Sequence, residues 1–191
     1  MPTYIIEHLE PRVFKWCLIE YKNISKIVGK DNLWFTNIKQ KGKEAKELTK
    51  LGKVFKESVV NLKLNNSCFL DKEASKLLTP SEAKHFDYFI FGGILGDYPP
   101  RKRTTPELTS KLSDAEVRNI GKNQFSTDNA VLVTKEIVNG KNLGDIKFQD
   151  KLIIQINDIE SIELPYSYPI IKGKPQISKE LVKYLKNKKS F

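Results

Sequence analysis

Cysteine is nearly absent: Cys17 and Cys68 are the only two in 191 residues, too few for a disulfide framework or a cysteine zinc site. Both stand in apolar surroundings and read as reduced core thiols of a cytoplasmic protein. No apolar run approaches the roughly 18 to 20 residues that span a bilayer. Met1 to Glu10 also lacks a basic start followed by an apolar stretch, so neither membrane insertion nor secretion is expected. No internal repeat or low-complexity segment occurs. Nowhere does a glycine-rich turn end in Gly-Lys-Ser or Gly-Lys-Thr, and no Gly-x-Gly-x-x-Gly opens a helix, which disfavours phosphate binding by those two routes. No metal is expected.

What is present belongs to a folded chain: 39% hydrophobic and 10% aromatic residues alongside 29% charged ones. At roughly 150 residues per domain the length gives about one compact domain. Lysine and arginine total 33 against 23 acidic residues, a formal charge of +10 that points to an acidic or polyanionic partner without identifying it.

Hydrophobic periodicity predicts alternating strands and helices. Thr3 to His8 is a β-branched and aromatic strand. Cys17, Leu18, Tyr21, Ile24 and Val28 recur at helical spacing, with Gly29 placed to stop the helix. Leu33 to Phe35, Val54-Phe55 and Cys68 to Leu70 read as short strands, and Lys39 to Leu51 as an exposed helix or loop. Phe86 to Phe91 is almost continuously apolar, as a central buried parallel strand must be. The segment from Gly92 to Asp114 is long for a plain connector. A helix then starts at Ser126 or Thr127, with Asp128 in its first turn, a buried stripe of Ala130, Val131, Thr134, Ile137 and Val138, and Gly140 at its end. Phe148 to Leu164 holds one or two strands, and Leu181, Tyr184 and Leu185 pattern a last helix before a lysine-rich tail. The whole is an α/β chain built on a parallel sheet, whose ligands belong at the carboxyl ends of its strands.

The densest concentration of chemistry follows the central strand, from Phe91 through Gly92, Gly93, Ile94, Leu95, Gly96 and Asp97 to Pro99-Pro100-Arg101-Lys102-Arg103-Thr104. Glycines let backbone approach a ligand closely, and the two prolines stiffen the exit. A glycine-rich turn with solvated charges has the same composition.

Tyr4 to His8, the block Phe86 to Asp97 with Pro99-Pro100-Arg101, and Thr127-Asp128 with Ala130 closely resemble one family of SPOUT-class methyltransferases. That family includes a fungal protein arginine methyltransferase acting on a small-subunit ribosomal protein, and archaeal relatives described as RNA methyltransferases. The likeness continues through Asp145 to Phe148, Leu164 to Tyr166 and Gly173 to Pro175. It departs at Tyr98, Lys102 and Phe125-Ser126, beside the expected pocket.

The resemblance implies a single domain over residues 1–191: a Rossmann-like parallel sheet, a deep C-terminal trefoil knot over about 86–145, and a strand and helix extension over about 146–191. Periodicity alone would not propose a knot, since true knots are very rare. It further implies S-adenosylmethionine as cofactor, held by Phe91, Gly92, Gly93, Ile94, Leu95 and Gly96, by Ile120 and Gly121, by Gln124, Phe125, Ser126 and Thr127, with Leu70 at one edge. Methyl transfer to a protonated guanidinium needs a carboxylate to orient it and assist proton loss. Asp97 is the first candidate. Glu7, at the end of the first strand, is the second, against the alternative of a salt-bridged edge residue. His8 reads as a hydrogen-bonded structural residue and His85 as a loop residue. Arg101 and Arg103 are candidates to clamp the cofactor carboxylate or an anionic substrate, or are solvated loop charges.

Three functions compete: a protein arginine methyltransferase acting on a ribosomal protein, an RNA methyltransferase for rRNA or tRNA, and a non-catalytic ribosome-assembly protein. Eight lysines between Lys39 and Lys63, opposed by Glu44, Glu47 and Glu57, fit a polyanion-binding face or a solvated one. No RNP-like aromatic motif accompanies them. A monomer is favoured over a homodimer.

Overall fold

The computed structural model describes residues 1–40, 42–95 and 115–187. Among them a six-stranded, all-parallel sheet runs in the order β3-β2-β1-β5-β4-β6, with β1 Thr3–His8, β2 Leu33–Thr36, β3 Lys53–Val54, β4 Ser67–Leu70, β5 Tyr88–Gly93 and β6 Glu116–Arg118. β5 lies between β1 and β4, in register from Thr3 opposite Tyr88 to His8 opposite Gly93. The apolar run predicted as the central strand is therefore central, but it starts at Tyr88, leaving Phe86 to pack edge-on against Phe89.

Alternation along β1 assigns its side chains to two cores. Tyr4 and Ile6 join Phe35, Phe89 and Phe91 beneath helices α1 (Lys15–Val28) and α4 (Thr127–Val138), while Ile5 meets Phe69, Ile90 and Val59 on the other face. Each of these fully buried side chains contributes about 1.5–3 kcal/mol relative to exposure. α1 has its predicted stripe and ends at Gly29, whose φ of 82° supplies the left-handed residue that closes it. Its opposite side is also covered. Ile19, with Trp16, packs against the antiparallel hairpin β7 (Phe148–Gln155) and β8 (Ser161–Ile171) and against α5 (Lys179–Lys186). A short β9, Lys174–Pro175, completes this second sheet.

Several expectations need correction. Within Lys39 to Leu51 the helix is confined to α2, Lys43–Leu48, and it is not simply exposed, since Leu48 is fully buried and Ala45 nearly so. The strand expected at Val54-Phe55 is Lys53–Val54, with the Phe55 N–H still donating to Phe35 O. In α4 the buried set includes Asp128, Asn129 and Val133, whereas Ala130 and Val138 are half-buried. β6 and the four-residue α3 (Pro80–Ala83), which carries a Thr79–Glu82 capping box, were not anticipated. A three-residue edge strand reading Glu-Val-Arg has no apolar period to reveal it.

Candidate active site

β1, β4 and β5 end at one edge of the sheet, where ligands of open parallel sheets bind. At that edge Gly93 is indispensable. A Cβ there would stand 2.5 Å from the Tyr21 hydroxyl, 2.9 Å from Ile6 Cγ2 and 3.1 Å from the Glu7 carbonyl oxygen. The missing side chain thus makes room for the chain's own packing under the loop. Beyond it, Leu9 N–H donates to Gly93 O at 3.2 Å and Leu95 N–H to Glu10 Oε1 at 3.0 Å, which holds the first loop against the segment after β1. Phe91 is buried, while Gly92, Ile94 and Leu95 are half-buried.

The second loop follows β6. Ile120 is buried, and Gly121 adopts a φ of 102°, so glycine is required there by backbone geometry. Its N–H donates to Asn119 Oδ1 at 3.0 Å, while Asn119 Nδ2 donates to Ala74 O and Lys76 O at 2.9 and 3.1 Å. Asn119 therefore fastens this loop to the segment that follows β4. At the end of β4, Leu70 is buried, and Asp71 N–H donates to Arg118 O.

The third loop is tied to the hairpin. Gln124 O accepts from Ser167 N–H at 2.8 Å, and Asn123 Nδ2 donates to Ser167 Oγ at 3.0 Å. Phe125 packs on Phe148 with ring centroids 5.4 Å apart. Ser126 is the N-cap of α4, yet its hydroxyl donates to Asp128 Oδ1 at 2.7 Å instead of accepting from a helix N–H. Thr127 is buried.

The acidic side chains of Glu7, Glu20 and Asp128 are buried, as is Asp71 after β4. Glu7 is 1% exposed, and its carboxylate accepts from Thr36 Oγ1 at 2.5 Å, Ser58 Oγ at 2.6 Å and Val59 N–H at 2.9 Å. It is not the salt-bridged edge residue offered as the alternative. Glu20 on α1 and Asp128 on α4 form a buried carboxylate pair. Burial, and then the neighbouring Asp128, push Glu20 well up from the usual carboxylate range; burial likewise raises Asp128. Trp16 Nε1 donates to Glu20 Oε1 at 2.7 Å and Asn23 Nδ2 to Asp128 Oδ2 at 2.8 Å. His8 is buried with its Nδ1 2.8 Å from the Tyr21 hydroxyl, and burial lowers its pKa. This is the structural histidine expected at that position.

The family of protein arginine N-methyltransferases described as SFM1-like matches residues 3–190, nearly the whole chain. The chain belongs to that family. It is 35% identical to protein arginine N-methyltransferase SFM1 of Saccharomyces cerevisiae, over 96% of this chain and 93% of the relative. The crystal structure of yeast SFM1 complexed with S-adenosylhomocysteine superposes with a TM-score of 0.87 at 33% identity, covering 96% of this chain and 94% of the other. The complex of SFM1 with S-adenosylmethionine gives the same TM-score and identity over 97% and 90%. Dual-specific Trm10 of Thermococcus kodakaraensis, at 18% identity and a TM-score of 0.57 over 76% of this chain and 96% of the other, shares the fold alone. The fold is thus the α/β parallel sheet of the SPOUT methyltransferases.

Against the SFM1-like frame, Gly92 to Leu95, Ile120-Gly121, Gln124 to Thr127 and Leu70 all border the carboxyl edge of the sheet. Gly96, Asp97, Arg101 and Arg103 lie outside the described residues, as does the 96–114 part of the expected knot. Sequence reasoning missed Asn119, Glu20 and Asp128 as a pair, and Ser58 and Ser167 as anchors. For Asn119 a signal existed: an Asn two residues before a glycine in the left-handed region is an Asx-turn pattern. Among the described residues, no group of three or more His, Cys, Asp and Glu side chains converges as metal ligands do, and no helix is long and apolar enough to cross a membrane.

Proposed function

We propose that this protein is an S-adenosylmethionine-dependent protein arginine N-methyltransferase whose substrate is a ribosomal protein, working as a monomer in the cytoplasm, with residues 1–191 forming one domain. The family match over residues 3–190 carries this reading, on a sheet whose carboxyl edge gathers three fastened loops. The residues present fit the cofactor. Leu70, Phe91 and Ile120 offer buried apolar edges suited to an adenine ring, and the backbones of the first and third loops offer polar groups around them. When bound, the cofactor supplies a methyl group on a sulfonium centre.

Positioning then dominates the chemistry, because an in-line displacement needs donor and acceptor aligned more than it needs covalent help. Gly93, Asn119 and Ser167 fix the three loops through the contacts given above. Asp97 is assigned to orient the guanidinium and take its proton as the nitrogen–methyl bond forms. Glu7 already accepts three hydrogen bonds and is assigned to hold the segment around Ser58 in place beside β1. Arg101 and Arg103 are assigned to anionic groups of cofactor or substrate. The covered outer side of α1, packed by the chain's own hairpin and α5, supports the monomer. Two buried thiols suit a reducing compartment.

The test is transfer of a labelled methyl group to small ribosomal subunits from a yeast strain lacking SFM1. Label that survives ribonuclease and is recovered as methylarginine is expected. Label confined to RNA would overturn the arginine assignment, and calorimetry showing no binding of S-adenosylhomocysteine would remove any methyltransferase reading.

A further inference from the structure

A groove of about 580 Å³ opens beside the cofactor loops, between the start of α1, Glu44 of α2, Leu95, Tyr166 of β8 and Tyr184 of α5. Its volume is in the range of about 300–1,000 Å³ that takes a bound ligand. We propose that this groove seats the polypeptide segment flanking the acceptor arginine. The inference rests on the arginine methyltransferase reading above.

Two walls of the groove are physically joined to the loops. Leu95 continues the first loop, and its N–H is held by Glu10 Oε1 at 3.0 Å. Tyr166 immediately precedes Ser167, whose N–H donates to Gln124 O of the third loop at 2.8 Å. A chain lying in the groove is therefore bracketed by two of the three cofactor loops. Trp16, also in the lining, donates from Nε1 to Glu20 Oε1 at 2.7 Å, the carboxylate that lies beside Asp128 at the start of α4. The lining is thereby tied by hydrogen bonds to the segments that border the first and third loops, a footing that acceptor positioning requires.

The chemistry of the lining selects a polypeptide. Arg12 stands 4.7 Å over the Phe14 ring and Lys15 5.4 Å over the Tyr184 ring, and both side chains are exposed. Stacked cations of this kind keep N–H donors for an acidic side chain or a backbone carbonyl. Trp16, Tyr166 and Tyr184 offer amphipathic surface for an apolar residue at low entropy cost. The exposed carboxylate of Glu44 completes the lining. A phosphodiester backbone would meet that carboxylate, and two of the rings already carry cations on one face, so the mixture of signs fits a peptide of mixed charge better than a nucleic acid.

The experiment compares wild type with the double variants Arg12→Glu/Lys15→Glu and, as a control with the same charge change on α2, Lys43→Glu/Lys46→Glu. The probes are protein extracted from small ribosomal subunits of a yeast strain lacking SFM1, RNA from the same subunits, and S-adenosylhomocysteine in calorimetry. The groove variant is expected to raise KM for the protein by about tenfold or more, with kcat and S-adenosylhomocysteine affinity unchanged, and the control to match wild type. An unchanged KM, an equal rise in the control, or a loss of kcat without a rise in KM would overturn the groove while wild-type labelling of protein leaves the arginine reading standing. Label placed only on RNA, or on neither fraction, would overturn both.

Discussion

Glu7 offers the sharpest separation between a catalytic and a positioning carboxylate. Glu7→Gln keeps the shape and removes the charge. Val59 N–H donates to Oε2 and needs an oxygen there, so it dictates which way the new amide turns: the carbonyl oxygen must take the place of Oε2, 2.9 Å from that nitrogen, and the NH2 must face Ser58. The Ser58 hydroxyl can rotate to accept from it. Thr36 Oγ1 keeps the same oxygen and has Ile6 O, 3.4 Å away, as a second acceptor. All three contacts survive in weaker form, each falling from the charge-assisted range of about 1.5–3 kcal/mol to the neutral range of about 0.5–1.5 kcal/mol. At about 1–1.5 kcal/mol for each of three contacts, the summed loss is about 3–4.5 kcal/mol. For a chain of about this length each kcal/mol lowers Tm by roughly 2–4 °C, so a fall of about 6–18 °C is expected. Glu7→Ala, which leaves Val59 N–H buried without this acceptor and adds a cavity, should cost more still, about 5 kcal/mol or more.

The assay pairs thermal unfolding with single-turnover methyl transfer measured well below the transition. A positioning role predicts that Glu7→Gln shifts Tm as calculated and retains most of its transfer rate when the chain is folded. A general base removed outright would instead cost about 10²–10⁴-fold in rate. An unchanged Tm together with a rate loss of that size would refute the reasoning and return Glu7 to the chemistry.

Gly93→Ala is expected to destabilise by about 1–3 kcal/mol or more, because the methyl meets Ile6 Cγ2 and the Glu7 carbonyl as well as the Tyr21 hydroxyl; a denaturant midpoint equal to wild type would contradict this. Glu20 has a folded-state pKa raised by burial and by Asp128, so its contribution is fully present below the unfolded value of about 4.3 and is lost as pH rises through the folded one. Glu20→Gln, which still offers Trp16 an acceptor, should therefore stabilise the protein near pH 9 relative to wild type and flatten urea midpoints between about pH 5 and pH 9, with an unchanged slope as the contrary result. Burial pushes the thiols of Cys17 and Cys68 up to about 12, so neither should react with a thiol reagent at neutral pH until the chain unfolds; rapid labelling of the native protein would show that the core is open.

Local pattern and long-range packing divided what the sequence could reveal. β1, β5 and α1 were legible because strand alternation, a continuous apolar run and helical spacing each fix burial from neighbours within a turn or two. Glu20 was not, for a reason visible in α1 itself. By spacing it flanks the stripe of Cys17, Tyr21 and Ile24, where a charged residue normally reaches solvent, yet a hairpin and helix arriving more than 100 residues later cover Trp16 and Ile19 beside it, while α4 brings Asp128 alongside. Separation in sequence also hid Ser167, an ordinary strand serine until its N–H is found on Gln124. Gly93 was recognised as special by its position after the central strand, but the physical cause differs from the one composition suggests. The loop needs glycine there because Tyr21 of α1, itself hydrogen-bonded to His8, occupies the space a side chain would take. The stretch Tyr4 to His8 and Gly93, which ends β5, therefore share one contact, in which helix, first strand and the start of the first loop are packed together. A substitution at any of the three positions should therefore be felt by the loop that follows Gly93.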